Sequence, residues 1–187
     1  MNKYFYLLLI IILFVFIDSN PSWSGERYSF KKQGVDGRIP EGWVTRPGTL
    51  NETLIAARLP NGKVPRTNCW LQHYAFPELK SYSIDDLDNL RLRIESEGDV
   101  DSLLRESPMY RNADIQIKPH ITLSGFQTSV LNSRVKIQNI SAFGIHAITP
   151  TFTGLIVTGC NGREENKKEI TSSFGVWVSN MFFKQYP

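Results

Sequence analysis

The sequence predicts an α+β domain in which an antiparallel β-sheet packs against two main helices. Three observations carry that reading. Most of the chain beyond residue 25 alternates apolar with polar residues in short runs bounded by Pro, Gly, Asn or Ser, which is the period of half-buried strands. Two stretches, Ile84 to Ile94 and Ile170 to Met181, instead repeat their apolar residues at helical spacing. The 187 residues contain no internal repeat, low-complexity segment or interdomain linker, and 41% hydrophobic residues suffice for one core.

The elements follow in order. Tyr28 and Phe30 alternate with polar neighbours as a first short strand. Pro40 and Gly42 then make a corner that places Trp43. Thr53 to Arg58 reads as a second strand and Cys69 to Phe76 as a third, turned back on each other at Pro60-Asn61-Gly62. Ser83 is a helix N-cap, with Asp85, Asp86 and Asp88 where the helix dipole favours acid. Ile84, Leu87, Leu90 and Ile94 share one face, Gly98 ends or bends the helix, and Leu103-Leu104 fits a further turn. Alternation then returns, with one or two short strands near Pro119 and a strand pair or bent strand from Phe126 to Ile137. A hairpin around Pro150 joins Phe143–Thr149 to Gly154–Cys160. The last helix carries Ile170, Phe174, Trp177 and Met181 as one apolar stripe.

The N-terminus predicts export. Met1-Asn2-Lys3 is weakly positive, Tyr4 to Ile17 is apolar, and Ser22-Trp23-Ser24-Gly25 supplies the small residues of a cleavage site. Residues 1–25 therefore read as a signal peptide cut near Ser24 or Gly25, and 26–187 as one domain. The rival is a retained anchor, but the apolar run of about 14 residues is shorter than the roughly 20 that span a bilayer. No stable membrane insertion is expected after cleavage.

Export bears on the two cysteines. Cys69 and Cys160 both lie in the mature part, and an even count in an oxidising compartment favours a bridge. Neither belongs to a C-x-x-C pair, so the bridge is expected to serve stability rather than thiol chemistry.

The search for chemistry yields no catalytic, cofactor-binding or metal-ligating set. Net charge is +3, from 21 basic and 18 acidic residues without long runs of one sign, so the basic stripe of a nucleic-acid binder is missing. His73, His120 and His146 stand at no metal-ligand spacing from one another; zinc or copper would need the fold to bring His73 and His146 together. There is no G-x-S-x-G, P-loop or H-E-x-x-H, and Ser124 beside Gly125 has no marked base. On an extended strand, Cys69 and His73 stand roughly 13 Å apart, too far for a thiolate pair. Trp70, Tyr74 and Phe76 line the strand face opposite Cys69. They form a possible partner surface if that face of the sheet is left uncovered; otherwise the same rings fill the core.

Ile39-Pro40-Glu41-Gly42-Trp43, the Ser83 to Ile94 helix, Gly154 to Thr158, and Ile170 to Phe174 with its Ser172-Ser173-Phe174 run occur in an order that resembles the PsbP/DcrB-like group of exported proteins. The resemblance covers most of the mature chain. It implies an α/β sandwich of antiparallel sheet and packed helices, no shared catalytic set, and a role as accessory or assembly factor of larger complexes. The cysteine pair is not general to that group, and Asn112 to Ser141 aligns poorly with it. The resulting expectation is an exported, periplasmic or secreted, non-enzymatic protein engaging a protein partner or envelope complex. The alternative is a small exported hydrolase whose site is assembled from scattered residues.

Overall fold

A computed structural model describes residues 25–46, 53–58, 67–105, 110–137 and 139–185. The signal-peptide expectation and the Pro60-Asn61-Gly62 turn fall outside these residues.

Ten strands and three α-helices lie among the described residues. The strands are β1 (Arg27–Phe30), β2 (Val35–Arg38), β3 (Val44–Arg46), β4 (Thr53–Arg58), β5 (Asn68–Ala75), β6 (Asp114–Leu123), β7 (Phe126–Ile137), β8 (Ile140–Thr151), β9 (Gly154–Arg163) and β10 (Met181–Phe183). The helices are α1 (Ile84–Ser96), α2 (Asp99–Arg105) and α3 (Lys167–Ser179). Seven strands form one antiparallel sheet in the order β3-β4-β5-β9-β8-β7-β6, and β1-β2-β10 form a second, three-stranded sheet. The expected α+β architecture is therefore present, but with two sheets where the sequence suggested one.

Local chemistry explains most boundaries. The Ser83 hydroxyl accepts the Asp86 N–H at 3.1 Å, and the Asp86 carboxylate accepts the Ser83 N–H at 2.9 Å, a reciprocal cap that starts α1. The Ser83 hydroxyl also donates to that carboxylate at 2.7 Å, and this bond, with the one from the Ser83 N–H, holds the Asp86 carboxyl below the usual carboxylate range. Gly98, at φ +78°, takes the left-handed conformation that stops the helix. Asp88 and Glu95 pair with buried Arg91 at 2.8 and 2.9 Å, so these two acids are occupied structurally.

Two prolines lie inside strands, which settles the open choice of one or two strands near Pro119 and corrects the turn expected at Pro150. Pro119 does not divide β6. It sits where the β6–β7 register shifts, between Lys118 and Ile121, on the outermost strand, where a missing N–H is tolerated. Pro150 does not form the hairpin turn either. It pairs with Leu155 inside β8, two residues past the last β7 pair at Ile148, and the chain reverses at Phe152-Thr153. β7 is likewise one continuous strand through Asn132-Ser133, because both residues are paired on both sides.

Helices cover both faces of the large sheet. α3 packs on β8 and β9, burying Ile170, Phe174 and Trp177 against Cys69, Leu71, Ile156 and Cys160, while Tyr28 and Val35 of the small sheet join the same core. Met181, expected to continue the helical stripe, instead opens β10 and is buried there. α1 packs on β7 and β8 at the opposite face. There Ile94 and Leu104 from the helices meet Tyr110, Leu131, Ile148 and Val157.

Candidate functional site

Strand pairing decides which side chains meet. Cys69 of β5 stands directly opposite Cys160 of β9, with Cα atoms 4.0 Å apart, and the two are joined by a disulfide. Both are fully buried in the core beneath α3, which removes them from reagents and substrates.

The histidines are not brought together. His73 lies on the Cys69 face of β5, His146 on the other face of the sheet, and His120 on β6. Among the described residues no three His, Cys, Asp or Glu side chains are grouped to hold a metal ion. His73 Nε2 is 3.2 Å from the Thr153 carbonyl; half-burial lowers its pKa, partly offset by that contact. Ser124 occupies the Ser124-Gly125 turn between β6 and β7, where its hydroxyl donates to the Met181 carbonyl at 3.2 Å.

His146 is the one histidine in an elaborated environment. It is fully buried, and its Nε2 lies 2.8 Å from the Ser133 hydroxyl. Nδ1 has no hydrogen-bond partner. A buried N–H left unpaired costs more than a bare acceptor, so the ring is read as the Nε2–H tautomer donating to Ser133. Tyr110 meets the ring edge-on at 5.0 Å, its hydroxyl accepting from Asn161 at 2.7 Å, and Trp70 lies at 5.9 Å. The ring's seat exists because two neighbours are glycine. A Cβ on Gly159, the cross-strand partner, would fall 2.5 Å from Nδ1, and one on Gly144 would fall 2.6 Å from Nε2. This is a sealed polar knot in the sheet, without access for a substrate.

Burial pushes the His146 pKa down to about 3. Above pH 6.5 the folded and unfolded chains both hold a neutral imidazole. As pH falls below 6.5 the unfolded chain takes up a proton that the folded one refuses, so stability is lost progressively down to about pH 3. The slope reaches about 1.4 kcal/mol per pH unit. Urea titrations at pH 7.5 and 4.5 should show this fall in the native sequence and a flatter response in His146→Gln. Equal slopes in the two proteins would refute the assignment.

The three rings proposed as a partner surface separate. Trp70 and Tyr74 are half-buried and packed into the second core beneath α1 and α2, so the premise that this face is uncovered does not hold. Phe76, just past the end of β5, is 37% exposed. With Tyr82, equally exposed, it borders a groove of about 430 Å³ whose apolar lining includes Leu79, Leu90, Ile94 and Leu103. Arg93, Glu97 and Asp99 add charge to the lining. The groove has the composition of a site that holds an apolar segment and fixes it by polar contacts. Tyr82 and Leu103 were missed as surface residues because each adjoins a helical run that reads as core.

No protein-family model matches the chain, and no curated protein matches it in sequence. Solved structures do resemble it. The solution structure of cyanobacterial PsbP from Synechocystis sp. PCC 6803 superposes with a TM-score of 0.53 at 15% identity, over 89% of this chain and 96% of that one. LpqN of Mycobacterium tuberculosis, described as involved in cell envelope biogenesis, gives a TM-score of 0.48 at 11% identity over 86% of each chain. PA94 of Pseudomonas aeruginosa, a protein of unknown function, gives 0.43 at 10% identity, over 82% of this chain and 92% of that one. The likeness to PsbP bears out the expected PsbP-like fold.

Proposed function

We propose that this chain is an exported, non-enzymatic binding protein, directed outward by residues 1–25 and folded as one domain from residue 26. Its Phe76–Tyr82–Leu103 groove holds an apolar segment of a protein partner in the cell envelope or outside the cell. The observation that carries the reading is the groove itself, an apolar concavity edged by two half-exposed rings and set between α1, α2 and the 3₁₀ turn Pro77–Ser81. Of the three rings expected at a partner surface, Phe76 belongs to it, while Trp70 and Tyr74 support it from the core below. The hydrolase alternative lacks comparable support. Among the described residues the Ser133–His146 pair lies within hydrogen-bond distance, but both residues are buried, and burial holds the imidazole far below a working general base.

A photo-crosslinking benzoylphenylalanine placed at Tyr82 in the native cells tests this. The expected result is a discrete crosslinked partner that is lost on Leu103→Glu and not obtained from the same probe at Ile117, an exposed site on β6. Equal labelling at both sites, or none at Tyr82, would sink the groove assignment. The intact mass of the same protein should lack about the first 25 residues; a full-length mass would refute export by cleavage.

A further inference from the structure

A second concavity, apart from the groove and unused by any role above, is ringed by positive charge. The geometry points to an anion-binding site there, selective for a compact ligand bearing a phosphate or pyrophosphate group.

Lys31, Lys32, Lys80 and Lys184 line a cavity of about 180 Å³ together with Gly34, Phe152 and Thr153. They come from three segments distant in sequence, namely the β1–β2 turn, the 3₁₀ turn after β5, and the residue following β10. No carboxylate lines the cavity, and among the described residues none of the four ammonium groups has an acidic partner. Over the whole chain, these four lysines included, the interspersed charges sum to only +3, so this concentration is local. Four like charges converging on one concavity repel one another, and a bound dianion reverses the sign of that contribution.

The surrounding backbone is held in place before any ligand arrives. The Lys184 N–H donates to the Gly34 carbonyl at 2.9 Å, and the Thr153 hydroxyl donates to the Gln33 carbonyl at 2.6 Å. Gly34, at φ +67°, lets the β1–β2 turn close, and the Lys184 stem lies over it, within 3.6 Å of where a Cβ would stand. Phe152 is buried beneath. Thr151 and Thr153 spend their hydroxyl protons on the Gly154 and Gln33 carbonyls, which leaves the lysines as the donors facing the ligand. The volume equals on the order of six water molecules, room for a phosphate and part of what it is attached to, but not for a helix or a nucleic-acid duplex. Lysine ammonium groups are mobile point charges that recognise the phosphate itself more than its bearer. A lipid headgroup and a free phosphorylated compound share that chemistry.

The test uses the purified full chain at low ionic strength, with calorimetric titration of pyrophosphate and flotation with vesicles containing phosphatidylglycerol or phosphatidylcholine alone. Lys80→Gln combined with Lys184→Gln removes two charges from the site. Lys118→Gln combined with Lys136→Gln removes two from β6 and β7. The expected result is a loss of about tenfold or more in affinity for at least one anionic probe in the first pair, and a change within about twofold in the second. Binding of soluble pyrophosphate identifies free phosphate compounds as ligands, whereas binding of phosphatidylglycerol vesicles alone identifies a headgroup. No binding of either probe, equal losses in both pairs, or stronger competition by polyglutamate than by pyrophosphate would overturn the proposal. All six lysines replaced or retained around the two surfaces are solvent-facing or partly so, and thermal melts of both pairs check that they fold.

Discussion

Replacing both Cys69 and Cys160 with alanine should lower the stability of the native fold by up to ~4–5 kcal/mol. The bridge closes a loop with a sequence separation of 91, and in the loop-entropy model a loop of that length restricts the unfolded chain by about this amount. Each mutant also loses a sulfur from a fully buried site beside Leu71 and Ile170, which adds a packing loss. For a domain of this size the sum corresponds to a fall in Tm on the order of 10–15 °C. Chemical denaturation of the double mutant, compared with reduced native protein, separates the two contributions. A combined loss under about 1 kcal/mol, or two titratable thiols in the unfolded, unreduced protein, would show the bridge to be dispensable or absent. Groove crosslinking at Tyr82 should survive at low temperature.

Trp177→Ala should cost about 3–5 kcal/mol, the range for deleting a large buried ring. Trp177 is fully buried on α3 and holds three parts of the molecule at once. Its ring stacks on Trp43 at 6.0 Å and on Tyr28 of the small sheet at 6.3 Å, and its Nε1–H donates to the Thr158 hydroxyl of β9 at 2.8 Å. That hydroxyl in turn donates to the Trp70 carbonyl on β5, so the indole N–H completes a short chain of bonds across the sheet. Trp177→Phe keeps the stacking and deletes the donor, and should therefore cost less, about 1–2 kcal/mol plus a small volume loss. Urea melts followed by near-ultraviolet circular dichroism distinguish the pair. Equal costs for Ala and Phe would mean that the hydrogen bond, not the packing, dominates.

Signals contained within a few residues survived the passage from sequence to structure. Ser83 with Asp86 starts α1 and Gly98 ends it, because capping and left-handed backbone are local demands. The same holds for the strand periods of β4 and β5. What failed depended on neighbours the sequence does not name. Pro150 reads as a turn and Pro119 leaves one or two strands open, yet each lies inside a strand where a neighbour is missing, one at a register shift on the sheet edge and one beyond the last β7 pair with β9 alone beside it. β2 and β10 are four and three residues long, too short for a period to declare itself, and they exist as strands through each other. Whether the Trp70 face is open or covered stays undecided in the sequence, because α2 and Tyr110, which cover it, are brought there only by the fold. Similarly, Gly144 and Gly159 look like ordinary strand glycines until register sets both against His146. The groove around Phe76 and the lysine cluster were illegible for the same reason, since each gathers residues from separate segments.

The strand order also governs when the molecule can fold during its synthesis. β9 lies between β5 and β8, so the two halves of the large sheet have no contact along their edges until residues 154–163 have been made. Before then β5 presents an unpaired edge with Cys69 on it, and β8 presents another, while the helix that seals their common core is still to come. A chain made from its N-terminus thus joins the two halves of its large sheet only in its last quarter. Pairings of such long separation form slowly and leave open strand edges exposed meanwhile. With only two cysteines, though, oxidation has a single intramolecular product, so the late arrival of Cys160 completes the bridge without any wrong partner to exchange.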